Sequence, residues 1–442
     1  MLTAEDLIVK TLGPCNYDSP LRLSVTPGDG LPDYTQEGTT VPYQVTGRQG
    51  APPDLSVCFE RSGPRPKLFY DPKKVYAAIV TCGGLCPGLN NVVQSIFLEL
   101  YHRYGVHKIL GVRYGYRGFD PQSGLEPIDM TPEFVDGIQE QGGSILGSSR
   151  GMVPTETIIE TLERWKVDIL FVIGGDGTLK AAHEIAEEGL RRKLALSVVA
   201  IPKTIDNDIL YVYKTFGFDT AVAEAAKVLL CAHNEARGAP YGVGLVKVMG
   251  RDSGFIASFA TLASMAVNLT LIPEIPFKLE GEGGFLTLLA ERLRKRGHAV
   301  VVAAEGAGLE HMTDGEIIHD ASGNIMYSQM SKDIGIFLRD RIKSYCKEVG
   351  IPVNIKYIDP SYIIRSVPAN ANDSLFCNDL GRAAVHAAMA GKTDLVIGLW
   401  HNLLTHVPLS TATRGKKKVA PDSKLWLAVT EATGQPLVFQ MA

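Results

Sequence analysis

Two aspartates, a threonine and a lysine lie close together in segment 200–209 (AIPKTIDNDI), directly after a run of small apolar residues. One of the carboxylates, Asp206 or Asp208, could accept a proton from a substrate hydroxyl while the other supports a metal ion. Thr204 and Lys203 could hold the oxygens of a phosphoryl group in transfer. In an extended segment both aspartates would point to one side and Lys203 to the other. The alternative is an Asx-rich turn, which would explain the acids but neither the lysine nor the threonine.

A further carboxylate stands in the glycine-rich segment 174–178 (GGDGT), which follows the apolar run ILFVI. A single acid among residues with almost no side chain suits a Mg²⁺ ion that arrives with phosphates, because Mg²⁺ keeps waters and takes one or two protein carboxylates. The alternative for Asp176 is a turn acid or a helix cap. A similar GGDGT occurs in NAD kinases and lipid kinases, which use it for nucleotide phosphates. The segment therefore indicates a phosphoryl donor.

Glycines and cations elsewhere extend this pattern. Segment 81–90 (TCGGLCPGLN) combines glycines with a helix start, so its backbone could approach a phosphate, although tight turns also use glycine without any ligand. Arginine binds phosphate through two bonds, and lysine acts as a point charge. The basic residues at other strand ends are Arg150, Arg251, Lys356 and Arg365. The basic run 414–418 (RGKKK) could be an anion site, but it is interpreted as a solvated loop, because charge runs usually are.

Short β-branched runs alternate with longer amphipathic segments from Lys74 onward, which predicts a parallel sheet covered by helices. Such sheets bind ligands beyond the carboxyl ends of their strands. Two helices are predicted around 178–193 and 219–236. Residues 13–73 are rich in Pro and Gly and are interpreted as an extended N-terminal extension that wraps the core. The predicted strands are 75–82, 168–175, 196–202, 243–250, 298–306 and 394–400.

The bulk composition excludes some classes of function. The 442 residues carry a formal net charge of −4, so the whole molecule does not attract nucleic acid or an anionic membrane. No apolar run approaches the roughly 20 residues of a membrane helix, and the N-terminus lacks the pattern of a secretory signal. Seven thinly spread cysteines are interpreted as reduced thiols. We expect a cytoplasmic protein that binds neither nucleic acid nor membrane.

A series of motifs in this order resembles the 6-phosphofructokinases: GGDGT, PKTIDND, FGFDTAV, VMGRDSGF, LIPEIPF, AEG and YIDPSYIIR. The resemblance is greatest to the long-chain ATP-dependent forms of plants and trypanosomatids, and it extends from about Ala77 to Leu409. It implies a phosphofructokinase-like fold of two similar three-layer α/β domains with mostly parallel sheets, and an active site between them. It also implies a homotetramer or a dimer under allosteric control, although the sequence shows no effector motif.

The resemblance also implies a reaction and a division of the chain. The family transfers a phosphoryl group from ATP, or from pyrophosphate in some branches, to the 1-hydroxyl of fructose 6-phosphate with the help of Mg²⁺. The implied parts are an N-terminal extension (1–73), a nucleotide- and magnesium-binding domain (74–219, with a return segment at about 364–410), and a fructose 6-phosphate-binding domain (220–363, with the C-terminal segment at about 411–442).

Each matching residue receives a role from the resemblance. Asp206 would be the general base, and Asp176 and Asp208 would hold Mg²⁺. Lys203, Thr204 and Arg251 would contact the phosphoryl group in transfer. The donor site would be lined by Gly83, Tyr116, Arg150, Gly177 and Thr178. The fructose 6-phosphate site would consist of Thr204, Asp206, Asp208, Met249, Gly250, Arg251, Glu305, Lys356, Tyr362 and Arg365.

Two residues bear on the choice of phosphoryl donor. In this family an aspartate after GGD fills the space of the ATP α-phosphate, and a lysine before the TIDND segment accompanies the use of pyrophosphate. This chain has Gly177 and Lys203, one mark of each kind. Because a missing side chain leaves room for ATP and an ammonium excludes neither donor, we expect an ATP-dependent enzyme. The alternatives are a pyrophosphate-dependent enzyme and a non-catalytic regulatory homologue.

Overall fold

Residues 2–312, 317–319, 325–327 and 333–439 are described by the computed structural model, and within them the chain forms 19 strands. The strands are β1 (Lys10–Thr11), β2 (Tyr17–Asp18), β3 (Thr40–Pro42), β4 (Cys58–Arg61), β5 (Lys67–Leu68), β6 (Tyr76–Thr81), β7 (Lys108–Val112), β8 (Ile128–Asp129), β9 (Ile169–Gly174), β10 (Ser197–Pro202), β11 (Gly242–Val248), β12 (Leu269–Leu271), β13 (His298–Ala304), β14 (Ile317–His319), β15 (Ile325–Tyr327), β16 (Asn354–Ile358), β17 (Lys392–Thr393), β18 (Leu395–Trp400) and β19 (Leu403–Pro408).

The same described residues contain 12 α-helices, most of which follow a strand in the chain. The helices are α1 (Leu89–Leu98), α2 (Pro132–Val135), α3 (Thr155–Arg164), α4 (Asp176–Arg191), α5 (Phe218–Arg237), α6 (Phe255–Ser264), α7 (Phe285–Arg296), α8 (Ile334–Glu348), α9 (Ser361–Ser366), α10 (Ala371–Met389), α11 (Leu409–Ala412) and α12 (Lys424–Thr433).

A nine-stranded sheet has the order β3-β4-β19-β18-β10-β9-β6-β7-β8. Its central strands β18, β10, β9, β6 and β7 are parallel, and antiparallel strands close both ends. Ile169 and Phe171 of β9 belong to one hydrophobic cluster, whereas Leu170 and Val172 belong to another. Both faces of the sheet are therefore buried, as parallel sheets require because their crossover helices cover each face.

A smaller, fully parallel sheet has the order β12-β13-β11-β16. Helix α5 packs on β11 and β13 and also contacts α10, which in turn packs on β10 of the large sheet. Helices α1 and α10 share one hydrophobic cluster with the small sheet, and α3 and α4 cover the other face of the large sheet. The carboxyl ends of strands from both sheets can therefore contribute to one cleft.

The predicted α/β architecture with mostly parallel sheets is confirmed. The six predicted strands correspond to β6, β9, β10, β11, β13 and β18, and the two predicted helices correspond to α4 and α5. The sequence did not predict that the N-terminal residues supply β3 and β4 to the large sheet. These strands are short and lie among prolines and glycines, so they show no sustained alternation. The division of the chain at residues 73, 219 and 363 stays a prediction.

Among the described helices, none combines the length and the apolar character that a bilayer crossing requires.

Candidate active site

Three neighbouring strands of the large sheet end at the same edge. In the parallel register, Thr81 of β6 lies beside Ile173 of β9, and Gly174 of β9 lies beside Pro202 of β10. The segments that follow these strands carry most of the predicted donor and catalytic residues. Parallel pairing thus brings together residues that are more than a hundred positions apart in the chain, as expected for ligand sites of open α/β sheets.

The first of two adjoining cavities, which we call the donor cavity, has a volume of about 220 Å³. All five residues predicted for the donor site line it. The ring of Tyr116 is buried in its wall, and the Tyr116 hydroxyl donates to the carbonyl of Thr178 at 2.9 Å. The lining residues are Cys82, Gly83, Tyr116, Ser149, Arg150, Gly151, Met152, Gly177, Thr178 and Lys180.

The second cavity, which we call the transfer cavity, has a volume of about 180 Å³ and shares four lining residues with the first. It joins the donor segments to residues at the ends of the small sheet. The shared residues are Gly83, Arg150, Gly177 and Thr178. The remaining lining residues are Gly84, Leu85, Cys86, Gly175, Asp176, Lys203, Thr204, Ile205, Asp206, Asp208, Met249, Arg365 and Lys416.

Residues 203–208, which we call the acid loop, form a turn instead of an extended segment. Asn207 has a φ angle of 53°, in the left-handed region. The Thr204 hydroxyl accepts from the backbone N–H of Asp206 at 3.1 Å and lies 3.2 Å from Oδ1 of Asp208, to which it donates. Because of this turn, Lys203 and both aspartates line the same cavity, and the alternation expected for an extended segment does not hold.

Asp206 has an electrostatic environment suited to a proton acceptor. Its Oδ1 atom is buried and has no hydrogen-bond partner within the described part of the chain. Burial, followed by the charges of Asp208 and Glu305, raises the pKa of Asp206 well above its usual range. The loop is fixed from the other side by Ser253, whose hydroxyl donates to the carbonyl of Asp206 at 2.9 Å. A strongly perturbed carboxyl group in a cleft is typical of a functional site.

Asp176 is the first residue of α4, one position inside the helix from the cap residue Gly175. Its Oδ2 accepts from the ammonium of Lys180 at 2.9 Å. Asp176 and Asp208 line the transfer cavity together with the unpartnered oxygen of Asp206. Carboxylate oxygens are the ligands that Mg²⁺ prefers in proteins. The donor set of this cavity therefore fits a hard divalent cation.

The Lys203 ammonium is buried beside the transfer cavity, close to Gly83, which lines both cavities. It donates to the carbonyl of Gly84, and burial lowers its pKa. Gly83 has a φ angle of 85°, and a Cβ atom there would lie 3.2 Å from the Lys203 Nζ. A side chain at position 83 would therefore crowd the lysine and strain the backbone.

Residues predicted to bind the acceptor lie at the carboxyl ends of β11 and β13. Met249 lines the transfer cavity, and Gly250, with a φ of 125°, accepts through its carbonyl from the N–H of Gly306 at 3.1 Å. The Nε of Arg251 is 3.9 Å from Oε1 of Glu305. Burial raises the pKa of Glu305, although the charge of Arg251 opposes this. The two strand ends thus place an arginine and a carboxylate beside Met249.

The last predicted acceptor residues are arranged less closely. Arg365, on α9, lines the transfer cavity, and its buried Nε has no hydrogen-bond partner among the described residues. The Tyr362 side chain is 74% exposed, and its ring centre lies 4.7 Å from the Cζ of Arg365. Lys356 is exposed on β16, the edge strand of the small sheet. Neither Tyr362 nor Lys356 lines the donor or the transfer cavity.

Comparison with known proteins agrees with the motifs and the geometry. The sequence profile described as Phosphofructokinase matches residues 76–388. The chain is 45% identical over 439 residues to the ATP-dependent 6-phosphofructokinase of Borreliella burgdorferi, a match that covers 98% of this chain and 97% of that protein. The chain belongs to the phosphofructokinase family. The resemblance inferred from the motifs is therefore confirmed, as is the expectation of an enzyme.

Other members of the family show the same similarity across kingdoms. The chain is 43% identical over 449 residues to the ATP-dependent 6-phosphofructokinase of Amycolatopsis methanolica, covering 99% of this chain and 96% of that protein. It is 44% identical over 405 residues to ATP-dependent 6-phosphofructokinase 7 of Arabidopsis thaliana, covering 91% and 82%. The predicted similarity to plant enzymes is thus confirmed.

A solved structure supports the fold independently. The pyrophosphate-dependent phosphofructokinase of Marinobacter aquaeolei superposes with a TM-score of 0.66 at 22% identity, covering 83% of this chain and 92% of that one. At this level of identity the likeness concerns the fold alone. The predicted phosphofructokinase-like α/β fold is confirmed.

Sequence reasoning missed several residues that line the phosphofructokinase cleft, and one of them contacts Asp208. Lys416, from the basic run interpreted as a solvated loop, lines the transfer cavity. Its Nζ lies 3.5 Å from Oδ2 of Asp208. Burial alone would lower the pKa of Lys416, but the charges of Asp208 and Asp252, with a contribution from Asp176, raise it. No local pattern separates a lysine that reaches a cleft from one that faces water, so only the chain path shows this contact.

Proposed function

We propose that this chain is an ATP-dependent 6-phosphofructokinase that transfers the terminal phosphoryl group of ATP to the 1-hydroxyl of fructose 6-phosphate and yields fructose 1,6-bisphosphate and ADP. The observation that carries the proposal is the transfer cavity, where Asp176, Asp206 and Asp208 meet the cations Lys203 and Arg365. Names of relatives that are 43% to 45% identical over nearly the whole chain support the same activity.

Asp206 would act as the general base. Its unpartnered, buried Oδ1 is available to the 1-hydroxyl of the sugar, and its raised pKa increases its strength as a proton acceptor. As the sugar oxygen forms its bond to the γ-phosphorus, the bond between that phosphorus and the bridging oxygen breaks. The hydroxyl proton passes to Asp206, and the electron pair of the broken bond leaves with ADP.

Asp176 and Asp208 would hold Mg²⁺, since their carboxylates line the cavity next to Asp206. When bound with the nucleotide, this ion would neutralise charge on the transferring phosphoryl group. Lys203, Thr204 and Arg251 would contact the oxygens of that group. These residues provide positioning and charge, which supply most of the catalysis in phosphoryl transfer.

The donor cavity favours ATP. Gly177 lines both cavities, so the absence of a side chain there leaves space in their shared wall. Gly83, Tyr116, Arg150 and Thr178 would contact the rest of the nucleotide. The specific observation that favours pyrophosphate is the buried ammonium of Lys203 in the transfer cavity. Because that ammonium donates to a backbone carbonyl and leaves the donor cavity open, we prefer ATP.

Acceptor recognition would use Met249, Gly250, Arg251 and Glu305 for the sugar, with the other predicted residues around its 6-phosphate. Arg365 would bind that phosphate from within the cavity. Lys356 and Tyr362 would approach it from the exposed side of β16 and α9. We further propose a cytoplasmic, allosteric homotetramer or dimer.

Paired donor assays test the proposed function. Purified protein with fructose 6-phosphate and Mg²⁺ is given either ATP or pyrophosphate, and the formation of fructose 1,6-bisphosphate is followed by a coupled assay. We expect turnover with ATP that disappears when a chelator removes Mg²⁺. Turnover with pyrophosphate alone would instead establish the pyrophosphate-dependent alternative, and binding of fructose 6-phosphate without turnover with either donor would establish the regulatory one.

A further inference from the structure

The basic segment 414–418 is anchored to the acid loop. The backbone N–H of Lys417 donates to the carbonyl of Asp208 at 2.8 Å, and Lys416 forms an antiparallel bridge with Ile209. The ammonium of Lys417 points inward, where it donates to the carbonyls of Val212 and Tyr213 at 2.7 and 2.8 Å. Main-chain and side-chain contacts therefore hold position 416 in place, unlike a position in a solvated loop.

The ammonium of Lys416 lies among carboxylates at one end of the cleft. Its Nζ is 2.5 Å from Oδ2 of Asp252 and 3.5 Å from Oδ2 of Asp208. The side chain lines the transfer cavity, together with Asp206 and Met249, but it does not line the donor cavity. Lys416 is thus placed at the point of transfer and away from the region that would hold the rest of the nucleotide.

We propose that Lys416 is a phosphoryl-binding residue with two roles. Without ligand its ammonium neutralises the charge of Asp208, and after the metal-bound triphosphate enters, the ammonium binds the terminal phosphate. The inference rests on the proposed function, because it assumes that a phosphoryl group is transferred in this cavity. It adds a residue from the far end of the chain to the predicted set of ligands.

The cleft needs positive charge at different places before and after the ligand binds. Without ligand, the carboxylates of Asp208 and Asp252 repel each other, and an ammonium between them offsets that repulsion. A divalent ion competes for Asp208, while the terminal phosphate offers new acceptor oxygens within the same cavity. Lysine suits this exchange because its charge is compact and its stem is flexible. Lys203 is less free to move, since its ammonium is buried against the carbonyl of Gly84.

The first test measures nucleotide binding without turnover. Lys416→Met keeps the length of the side chain and removes its charge, and Lys416→Arg restores a charge. The matched control is Lys418→Met, two positions away at an exposed site. Calorimetry with Mg²⁺ compares a non-hydrolysable ATP analogue with ADP. We expect Lys416→Met to weaken binding of the analogue by about tenfold and binding of ADP by less than about twofold, because only the analogue carries the terminal phosphate.

The second test measures the metal without any nucleotide. Free Mn²⁺ is counted by electron paramagnetic resonance in the presence of each variant. Removing the ammonium should strengthen Mn²⁺ binding by about threefold in Lys416→Met, because a competing positive charge leaves Asp208. A merely structural loss would weaken both ligands, so the two opposite changes distinguish phosphoryl binding from damage to the fold.

The binding measurements either support or overturn the role proposed for Lys416. Weaker analogue binding with unchanged ADP binding and stronger Mn²⁺ binding supports the proposal, and partial recovery in Lys416→Arg strengthens it. Equal loss for the analogue and ADP, no loss for the analogue, or Mn²⁺ binding that is unchanged or weaker overturns it. A thermal midpoint in Lys416→Met that matches Lys418→Met excludes misfolding as the cause. The proposed function fails separately, if the wild-type protein shows no turnover with ATP.

Discussion

The donor half and the acceptor half of the cleft differ in how many of their predicted residues a single chain brings to the two cavities. Most predicted residues of the donor half follow three adjacent parallel strands, β6, β9 and β10, whereas Tyr116 follows β7 and Arg150 precedes α3. All of them line the donor or the transfer cavity. The acceptor half follows β11, β13 and β16 of the small sheet and α9. There Met249 and Arg365 reach the transfer cavity, whereas Tyr362 and Lys356 are exposed.

The difference between the two halves shows which site residues parallel strand pairing brings together. Strands in register place the residues that follow them side by side, so the motifs after these strands are sufficient to predict most of the donor half. The acceptor half depends on how a second sheet and a short helix pack against the first. Its residues therefore converge only partly within one chain, and we expect substitutions in the two halves to have different kinetic effects.

The largest effect is expected for Asp206→Asn, at the junction of the two halves. Loss of a positioned general base should lower kcat by roughly 10²- to 10⁴-fold with little change in the KM values, because the amide keeps the shape but cannot accept the proton. Steady-state kinetics with ATP measures this. The control is Asp340→Asn on α8, whose exposed side chain pairs with Arg339. An unchanged kcat would show that Asp206 is not the general base.

A smaller effect, confined to the acceptor, is expected for Arg365→Ala. The arginine lines the transfer cavity, so its loss should raise the KM for fructose 6-phosphate by about 10- to 100-fold, the range for a lost charge-assisted hydrogen bond. The KM for ATP should stay within about twofold. A larger change for ATP than for the sugar phosphate would place Arg365 in the donor half and break the comparison.

The donor half should respond selectively to Gly177→Asp. A carboxylate in the wall shared by both cavities would narrow them and repel phosphate, so the affinity for ATP should fall by about tenfold. Affinity for fructose 6-phosphate, measured by calorimetry, should not change. Gly177→Ala, which adds a methyl group without charge, is the matched variant. Its affinity for ATP should lie between those of the wild type and Gly177→Asp. Equal ATP binding by Gly177→Asp and the wild type would contradict the steric argument.

The smallest effect is expected for Lys356→Ala. The Lys356 side chain is exposed on the edge strand, and exposed charges contribute little to interaction free energies. If a single chain forms the acceptor site, the KM for fructose 6-phosphate should therefore rise by less than about threefold. Tyr362→Phe should behave in the same way. An effect as large as that of Arg365→Ala would mean that these residues reach the substrate only in an assembly of subunits, and would sharpen the contrast between the halves.

The residues that sequence reasoning found are those whose motifs follow buried strands. Asp176, Asp206 and Thr178 were predicted, and the structure places them together in one cavity. The turn at Asn207 was left open as an alternative, because a short polar segment fits an extended or a turned backbone equally well. Lys416 was misinterpreted, since neighbouring lysines in a basic run have the same local pattern whether they face water or carboxylates.

The amino-acid sequence by itself determined six strands of the two parallel sheets, two of the helices that cover them and the family, because apolar periodicity and glycine-rich motifs are local properties of the chain. Only the tertiary structure decided that Lys203 shares a cavity with both aspartates, that segment 414–418 returns to the acid loop, and that Lys356 and Tyr362 are exposed. These features depend on contacts between residues far apart in the chain and on one left-handed backbone angle, neither of which is encoded in a local pattern.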